Sequence, residues 1–135
     1  MPEAEKYYDP LRRKAVAATP EEKVRQWFIA QLLEKGGVPR GLMMSEVQMK
    51  SAHKPWRADI VVYSGTAAPL AVVECKRPDV QIDAEVAGQA LRYYSVLGVK
   101  YIFLTNGGGT FIYVKEGEAF RPLDHFPTYS EMNGR

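Results

Sequence analysis

Arg57-Ala58-Asp59-Ile60-Val61-Val62-Tyr63 and, after a Gly- and Pro-containing turn, Leu70-Ala71-Val72-Val73-Glu74-Cys75-Lys76 decide how this chain is read. Two β-branched apolar runs joined by a turn predict a β-hairpin. The runs themselves read as core, yet Asp59, Glu74 and Lys76 stand at their ends. Charge on a buried strand is costly unless it is paired or bound to a metal ion. A divalent metal site accounts for this placement.

A hairpin symmetric about the turn at residues 64–69 sets Asp59 opposite Glu74, with Cβ atoms roughly 4.5–5.5 Å apart. Side chains alternate along a strand, so Glu74 and Lys76 share one face and Cys75 points to the other. Two ionised carboxylates repel each other unless a cation lies between them. Mg²⁺ prefers oxygen ligands and commonly uses one or two carboxylates plus water and phosphate. The cluster depends on register, because a bulge that shifts the pairing by one residue would break it.

The flanking segments build outward from the hairpin. Residues 83–97 have helical spacing, with Val86, Ala90, Tyr94 and Leu97 on one stripe. Gln89 and Tyr93, four apart, share a flank about a quarter turn away. Asp83 suits the N-cap and Gly98 the stop. Residues 100–105 read as a buried strand. Gly107-Gly108-Gly109 lacks a following Gly-Lys-Ser/Thr, so it reads as a turn before Phe111-Ile112-Tyr113-Val114 and not as a phosphate loop. Upstream, residues 21–35 form an amphipathic helix with Val24, Trp27, Phe28, Gln31 and Leu32 on or near its inner face. Thr19-Pro20-Glu21-Glu22 opens it as a capping box. Residues 45–50 alternate as a first strand, with Val47 and Met49 inward and Glu46, Gln48 and Lys50 outward. Residues 1–18 are a Tyr- and Arg-bearing arm, residues 19–119 the core domain, and residues 120–135 an irregular tail that packs back through Leu123, Phe126 and Tyr129.

Asp59, then Glu74-x-Lys76, then Gln89-x-x-x-Tyr93 resembles the PD-(D/E)XK nuclease superfamily. More narrowly, the chain resembles the N-terminal nuclease domain of type I restriction enzyme R subunits. The supporting strings are Pro20-Glu21-Glu22-Lys23-Val24-Arg25-Gln26, Arg57-Ala58-Asp59-Ile60-Val61-Val62, Val73-Glu74-Cys75-Lys76, Gln89-Ala90-Leu91-Arg92-Tyr93 and Leu104-Thr105-Asn106-Gly107. Each piece is loose, but the ordered set on strand, strand and helix is specific. The Pro-Asp dipeptide of the superfamily name is absent, since Ala58 precedes Asp59.

The resemblance implies a restriction-endonuclease-like α/β/α sandwich around a central mixed sheet of about four to five strands. It implies that Asp59, Glu74 and the backbone carbonyl of Cys75 hold Mg²⁺, with Mn²⁺ as a substitute. A first-helix Glu completes the shell, and the residues alone leave both Glu21 and Glu22 open. Lys76 orients the attacking water or offsets charge at phosphorus, while Gln89 and Tyr93 position substrate. The expected activity is metal-dependent hydrolysis of DNA phosphodiesters, linked to restriction or repair. The expected partners are DNA, restriction-complex subunits or a second copy of the chain. Two rivals stay open: a silent DNA-binding or scaffolding subunit, and an unrelated α/β domain with an accidental match.

Taken singly, several residues have plainer readings. Glu74 and Lys76 could form a surface pair contributing ~0–1 kcal/mol. Tyr93 could be a partly buried helix flank, and Glu22 a capping residue. Cys75 reads as a small buried residue, and His53 and His125 as loop residues without zinc spacing. The trio Arg12-Arg13-Lys14 reads as a solvated surface run.

Composition is compatible with this picture. The chain has 135 residues, 46% hydrophobic and 25% charged, with a formal net charge of +2, which suits one globular domain. Lys50, Lys54 and Arg57 before Asp59, and Arg77 after Lys76, place cations around the acidic site, as a polyanion would need. The one cysteine and a polar, acidic start lead to the expectation of a reducing cytoplasm. No apolar run approaches the ~20 residues of a membrane helix.

Overall fold

The computed structural model describes residues 5–51 and 54–134. β1 (Lys6–Asp9) and β2 (Lys14–Ala17) form a small hairpin of their own. Then come α1 (Pro20–Glu34), a 3₁₀ turn (Arg40–Leu42), β3 (Met43–Ser51), β4 (Lys54–Tyr63) and β5 (Pro69–Cys75). α2 (Ala84–Tyr94) passes through a second 3₁₀ turn (Ser95–Leu97) to β6 (Tyr101–Thr105), β7 (Thr110–Glu116), β8 (Ala119–Leu123) and the short α3 (Tyr129–Met132). His53 lies outside the described residues.

The main sheet has six strands in the order β3-β4-β5-β6-β7-β8. β5 and β6 are parallel, which requires a crossover, and α2 provides it. The other neighbouring pairs are antiparallel. Strand alternation sends Ile60, Val62, Val73 and Phe103 to one face, where they pack with Phe28, Ile29 and Leu32 of α1. It sends Val61, Val72, Ile102 and Leu104 to the other, against Ala87, Ala90 and Tyr94 of α2. The result is an α/β/α sandwich. Phe28 meets Phe103 edge-on at 5.6 Å between centroids, and Phe126 from the tail closes on both at 5.8 and 5.5 Å.

The helices begin where their caps require. Thr19 Oγ1 accepts a hydrogen bond from the Glu22 N–H at 3.1 Å, and Pro20 takes the first helical position. Asp83 accepts from the Val86 N–H at 2.9 Å. Gly98, at φ 69°, ends the second helical segment in a left-handed conformation that suits glycine. On α1, Trp27 is 41% exposed, and Arg25 and Ile29 take the inward positions beside Val24, Phe28 and Leu32.

The register of β4 and β5 is the symmetric one. Ile60 pairs with Val73, Val61 with Val72 and Val62 with Ala71. Asp59 therefore comes opposite Glu74 just past the last pair. The one irregularity falls between Val62 and Tyr63, on the turn side. A second distortion lies on the other edge of β4. Ala58 packs with the α2 cluster and Ile60 with the α1 cluster, so the alternation of faces slips at Asp59. On β3, Ser45 and Val47 pair with Ile60 and Ala58. Glu46 between them sits at φ 51°, a conformation uncommon for any residue but glycine.

Three expectations are corrected. The sheet has six strands, not four to five, because the tail is not irregular and supplies β8. Its Pro122, opposite Tyr113, is tolerated because β8 is an edge strand, and that proline and the polar neighbours hide the strand in the sequence. Within the arm, whose order the sequence leaves open, residues 6–17 form a hairpin turned by Asp9, whose Oδ1 accepts from the N–H groups of Leu11 at 2.8 Å and Arg12 at 3.2 Å. Arg12 is not a solvated residue: its guanidinium is engaged by Asp9, by Glu22 at 2.6 Å and by Glu46 at 3.1 Å. Among the described residues no helix is long and apolar enough to cross a membrane.

Asp9 is fully buried. Burial alone would raise its pKa, but the hydrogen bond from Arg12, the two backbone N–H groups and the charge of Arg12 outweigh it and hold the carboxyl below its usual value. The stability carried by ionised Asp9 is therefore fully present above its unfolded value of about 3.9 and is lost as the pH falls through the lower folded value. Asp9→Asn is expected to lower stability at pH 7 by about 1.5–3 kcal/mol, the range for a hydrogen bond to a charged group. Urea unfolding at pH 7 and pH 3 should show the gap between wild type and variant closing at the acid end.

Candidate active site

The hairpin end, α1 and α2 meet around an open cleft of about 350 Å³. Its walls carry Glu21, Asp59, Glu74, Cys75, Lys76 and Tyr93, together with Arg57 and Tyr94. β4 delivers Asp59 and β5 delivers Glu74, because the register pairs their strands at this end. Lys76 follows Glu74 by two, so their side chains come to the same side, with Nζ 3.0 Å from Glu74 Oε2. Glu21 comes from the first turn of α1.

The two first-helix glutamates, open on sequence, part company here. Glu21 lines the cleft. Glu22 is buried, and its Oε1 is taken by Arg25 at 2.7 Å and Arg12 at 2.6 Å. Its Oε2 accepts from Gln26 at 3.1 Å.

Asp59 is clamped on both oxygens. Oδ1 accepts from the Arg25 guanidinium at 3.0 Å and Oδ2 from the Cys75 N–H at 2.7 Å. The Cys75 backbone is thus part of the site while its side chain packs in the α1 core. Burial, with Asp59's charge adding to it, pushes the thiol pKa well up, which makes it a poor nucleophile. Glu74 is held by Lys76 and by the Tyr94 hydroxyl, which donates to Oε1 at 3.1 Å. Burial first, then the charges of Glu74 and Asp59, drive the Tyr94 pKa far up. Tyr94 is therefore a neutral donor at any working pH.

Gln89 lies with Glu74, Lys76, Val86, Ala90 and Tyr93 around an adjoining cavity of about 190 Å³. The Tyr93 hydroxyl accepts from the Arg57 N–H at 3.0 Å, and its ring meets Trp56 at 4.6 Å between centroids. The sequence-derived set, Asp59, Glu74, Cys75, Lys76, Gln89 and Tyr93, thus borders one connected region.

Arg25 and Tyr94 received no site role from sequence. Arg25 had a signal. It stands four and seven residues before Ile29 and Leu32, on the buried stripe of α1, and a cation there demands partners. Tyr94 read only as a core stripe residue, and its hydroxyl's destination follows from packing. Burial opposes the charge on Arg25, but the hydrogen bond and attraction of Asp59, with the charges of Glu22 and Glu46, hold its pKa above the usual value. It is a permanent cation.

Among the described residues no three His, Cys, Asp or Glu side chains are close enough to form a ready-made cage for a metal ion. The carboxylates on the cleft wall, those of Asp59, Glu74 and Glu21, nonetheless offer oxygen donors, and Cys75 lines the same wall. Each oxygen of Asp59 and Glu74 keeps capacity beyond the one donor it now meets. Mg²⁺ typically uses one or two carboxylates and retains several waters, so these residues fit a hard divalent cation.

Comparisons with known proteins give one family from sequence and a shared fold from structure. The profile described as Type I restriction enzyme R protein N terminus (HSDR_N) matches residues 20–127. The Type I restriction enzyme EcoAI endonuclease subunit of Escherichia coli is 34% identical over 102 residues, 70% of this chain. The chain spans about 12% of that relative's length. Among solved structures, a fragment assigned to the HsdR subunit of a type I restriction enzyme from Vibrio vulnificus YJ016 superposes with a TM-score of 0.62 at 21% identity. That match covers 83% of this chain and 24% of the other. A protein classed as a DUF820 nuclease from Anabaena variabilis superposes with a TM-score of 0.55 at 15% identity, covering all of this chain and 88% of the other. Both share the fold.

The side chain of Arg25 is 4% exposed and lies between the carboxylates of buried Glu22 and of Asp59, which is 12% exposed. Arg25→Ala is expected to destabilise the protein by about 3–5 kcal/mol, the range for leaving a buried pair with one charge uncompensated. Chemical denaturation at neutral pH checks this.

Proposed function

The chain belongs to the family of type I restriction enzyme R protein N termini, and from that premise we propose that it is a Mg²⁺-dependent nuclease domain hydrolysing phosphodiester bonds of DNA. The observation that carries the reading is the convergence of Glu21, Asp59, Glu74 and Lys76 on one cleft. In this reading Asp59, Glu74 and the Cys75 carbonyl hold the cation, with Glu21 as the first-helix contributor. The bound cation would polarise the scissile phosphate and acidify a water. Mn²⁺ would serve as well, since both ions suit oxygen ligands.

The protein's own groups supply the rest. Arg25 and the Cys75 N–H keep the Asp59 carboxylate in one pose. The Tyr94 hydroxyl does the same for Glu74. Lys76, salt-bridged to Glu74, would orient the attacking water and offset the negative charge that grows on the phosphate oxygens. Gln89 and Tyr93 border the adjoining cavity, where they would position the nucleotide beside the scissile bond. Restriction-complex subunits are the proposed partners, in keeping with a chain that corresponds to a small part of its curated relative.

A second reading is a silent DNA-binding or scaffolding subunit. It is favoured by one observation: Asp59 and Glu74 are each already paired with a protein cation, Arg25 and Lys76.

Cleavage of linear and circular DNA separates the two. With Mg²⁺ or Mn²⁺ the wild type is expected to cut. Glu74→Ala is expected to abolish cutting, and Lys76→Ala to slow it by about 10²–10³-fold, as for other removed transition-state donors. A folded wild type that leaves DNA intact with either metal, or cutting that survives both substitutions, would turn the conclusion to the silent subunit.

A further inference from the structure

The basic residue that the sequence assigns to solvent, Arg12, and the Glu46 backbone in a rare conformation point to the same place. Arg12 joins Asp9 to Glu22 and Glu46. Glu22 joins Arg12 to Arg25, and Arg25 reaches Asp59 Oδ1 at 3.0 Å. The side chains of Asp9, Glu22 and Arg25 are at most 8% exposed and that of Arg12 is 16% exposed, so these pairs feel little solvent screening. Glu46, at φ 51°, adds a contact to each arginine, 3.1 Å to Arg12 and 3.5 Å to Arg25. It does so where the strand alternation slips at Asp59. Backbone strain of this kind persists only where the surroundings over-determine it.

We infer that the N-terminal hairpin is a working part of the Asp59 site, with Arg12, Glu22 and Arg25 as positioning residues that transmit the hairpin's docking to the Asp59 carboxylate. The catalytic consequence rests on the nuclease reading, but the positional one does not. The hairpin precedes the segment matched by the family profile, which begins at residue 20, so nothing in that match assigns it a role. The mechanism is plain electrostatics. Arg12 draws on Glu22 and Glu46, which share Arg25 with Asp59. Without Arg12, both carboxylates compete more strongly for Arg25 and pull it from Asp59.

Charge alone is a rival account, because a polyanionic substrate would feel any lost cation. Arg13, next in the chain and exposed, controls for it. Arg12→Gln, Arg12→Lys and Arg13→Gln should be compared with wild type in three measurements. The first is the amide resonance of Cys75, whose N–H donates to Asp59 Oδ2 at 2.7 Å and so reports the carboxylate's pose whether or not the protein is active. The second is the Mn²⁺ binding isotherm. The third is DNA turnover, with kcat and KM separated.

The expected result is a displaced Cys75 amide, several-fold weaker Mn²⁺ binding and about tenfold lower kcat at unchanged KM in Arg12→Gln, with Arg13→Gln like wild type. Arg12→Lys, which keeps the charge but loses the forked geometry, should fall between and guards against a hairpin that unfolds in Arg12→Gln. An unmoved Cys75 amide in both Arg12 variants would overturn the inference, as would equal effects on KM from Arg12→Gln and Arg13→Gln. A Cys75 amide displaced in Arg12→Gln, where the wild type itself neither binds Mn²⁺ nor cuts, would uphold the positional relay and defeat the nuclease reading.

Discussion

The carboxylate of Asp59 holds together parts of the chain that are distant in sequence. One oxygen takes the guanidinium of Arg25 from α1 and the other the N–H of Cys75 from β5. A helix, two neighbouring strands and, through Arg12, the N-terminal hairpin therefore share one anionic centre. Removing that charge would leave Arg25 buried without a full set of partners, and the guanidinium already has its Nε without a hydrogen bond. The site and the fold are thus coupled at the same atoms.

The coupling explains why the sheet is distorted where it is. A regular β3-β4 pair would keep alternating faces through Asp59. Instead the alternation slips there, and Glu46 adopts a left-handed conformation on the facing strand. The slip frees Asp59 and Glu46 from the apolar faces and lets both meet arginines from the N-terminal segments. The local backbone cost is offset by charge-assisted hydrogen bonds, each stronger than a neutral one. Glu74, two strand positions beyond Val72, needs no such device, since the Tyr94 hydroxyl and Lys76 satisfy it at the edge of the cleft.

The same arrangement bears on what the cleft can bind. Two carboxylates held by cations are pre-placed and not collapsed onto each other, and both line an open space that Lys76 and Tyr93 also border. In the proposed reading, a hard cation and a phosphate are the partners of this surface. The family resemblance inferred from five short strings and the profile match over residues 20–127 agree on the family.

Several features were legible before any coordinates. The β4-β5 hairpin, its register, the capped helices and the grouping of Asp59, Glu74 and Lys76 follow from local rules: strand periodicity, turn residues and N-caps act over a few residues, so short stretches reveal them. The edge strand β8 was hidden because Pro122 and its polar neighbours mask strand character, and such a strand is stable only beside β7. The N-terminal hairpin, the burial of Arg12 and the division of labour between Glu21 and Glu22 were hidden for a related reason. Each depends on ion pairs between segments far apart in sequence, from Asp9 to Asp59, and a charged residue looks the same in a sequence whether it faces water or another charge. The sequence by itself determined the family and which strands bring Asp59, Glu74 and Lys76 close. Only the tertiary structure decided which charges are spent holding the others in place, because long-range electrostatic pairing has no local periodicity from which to read it.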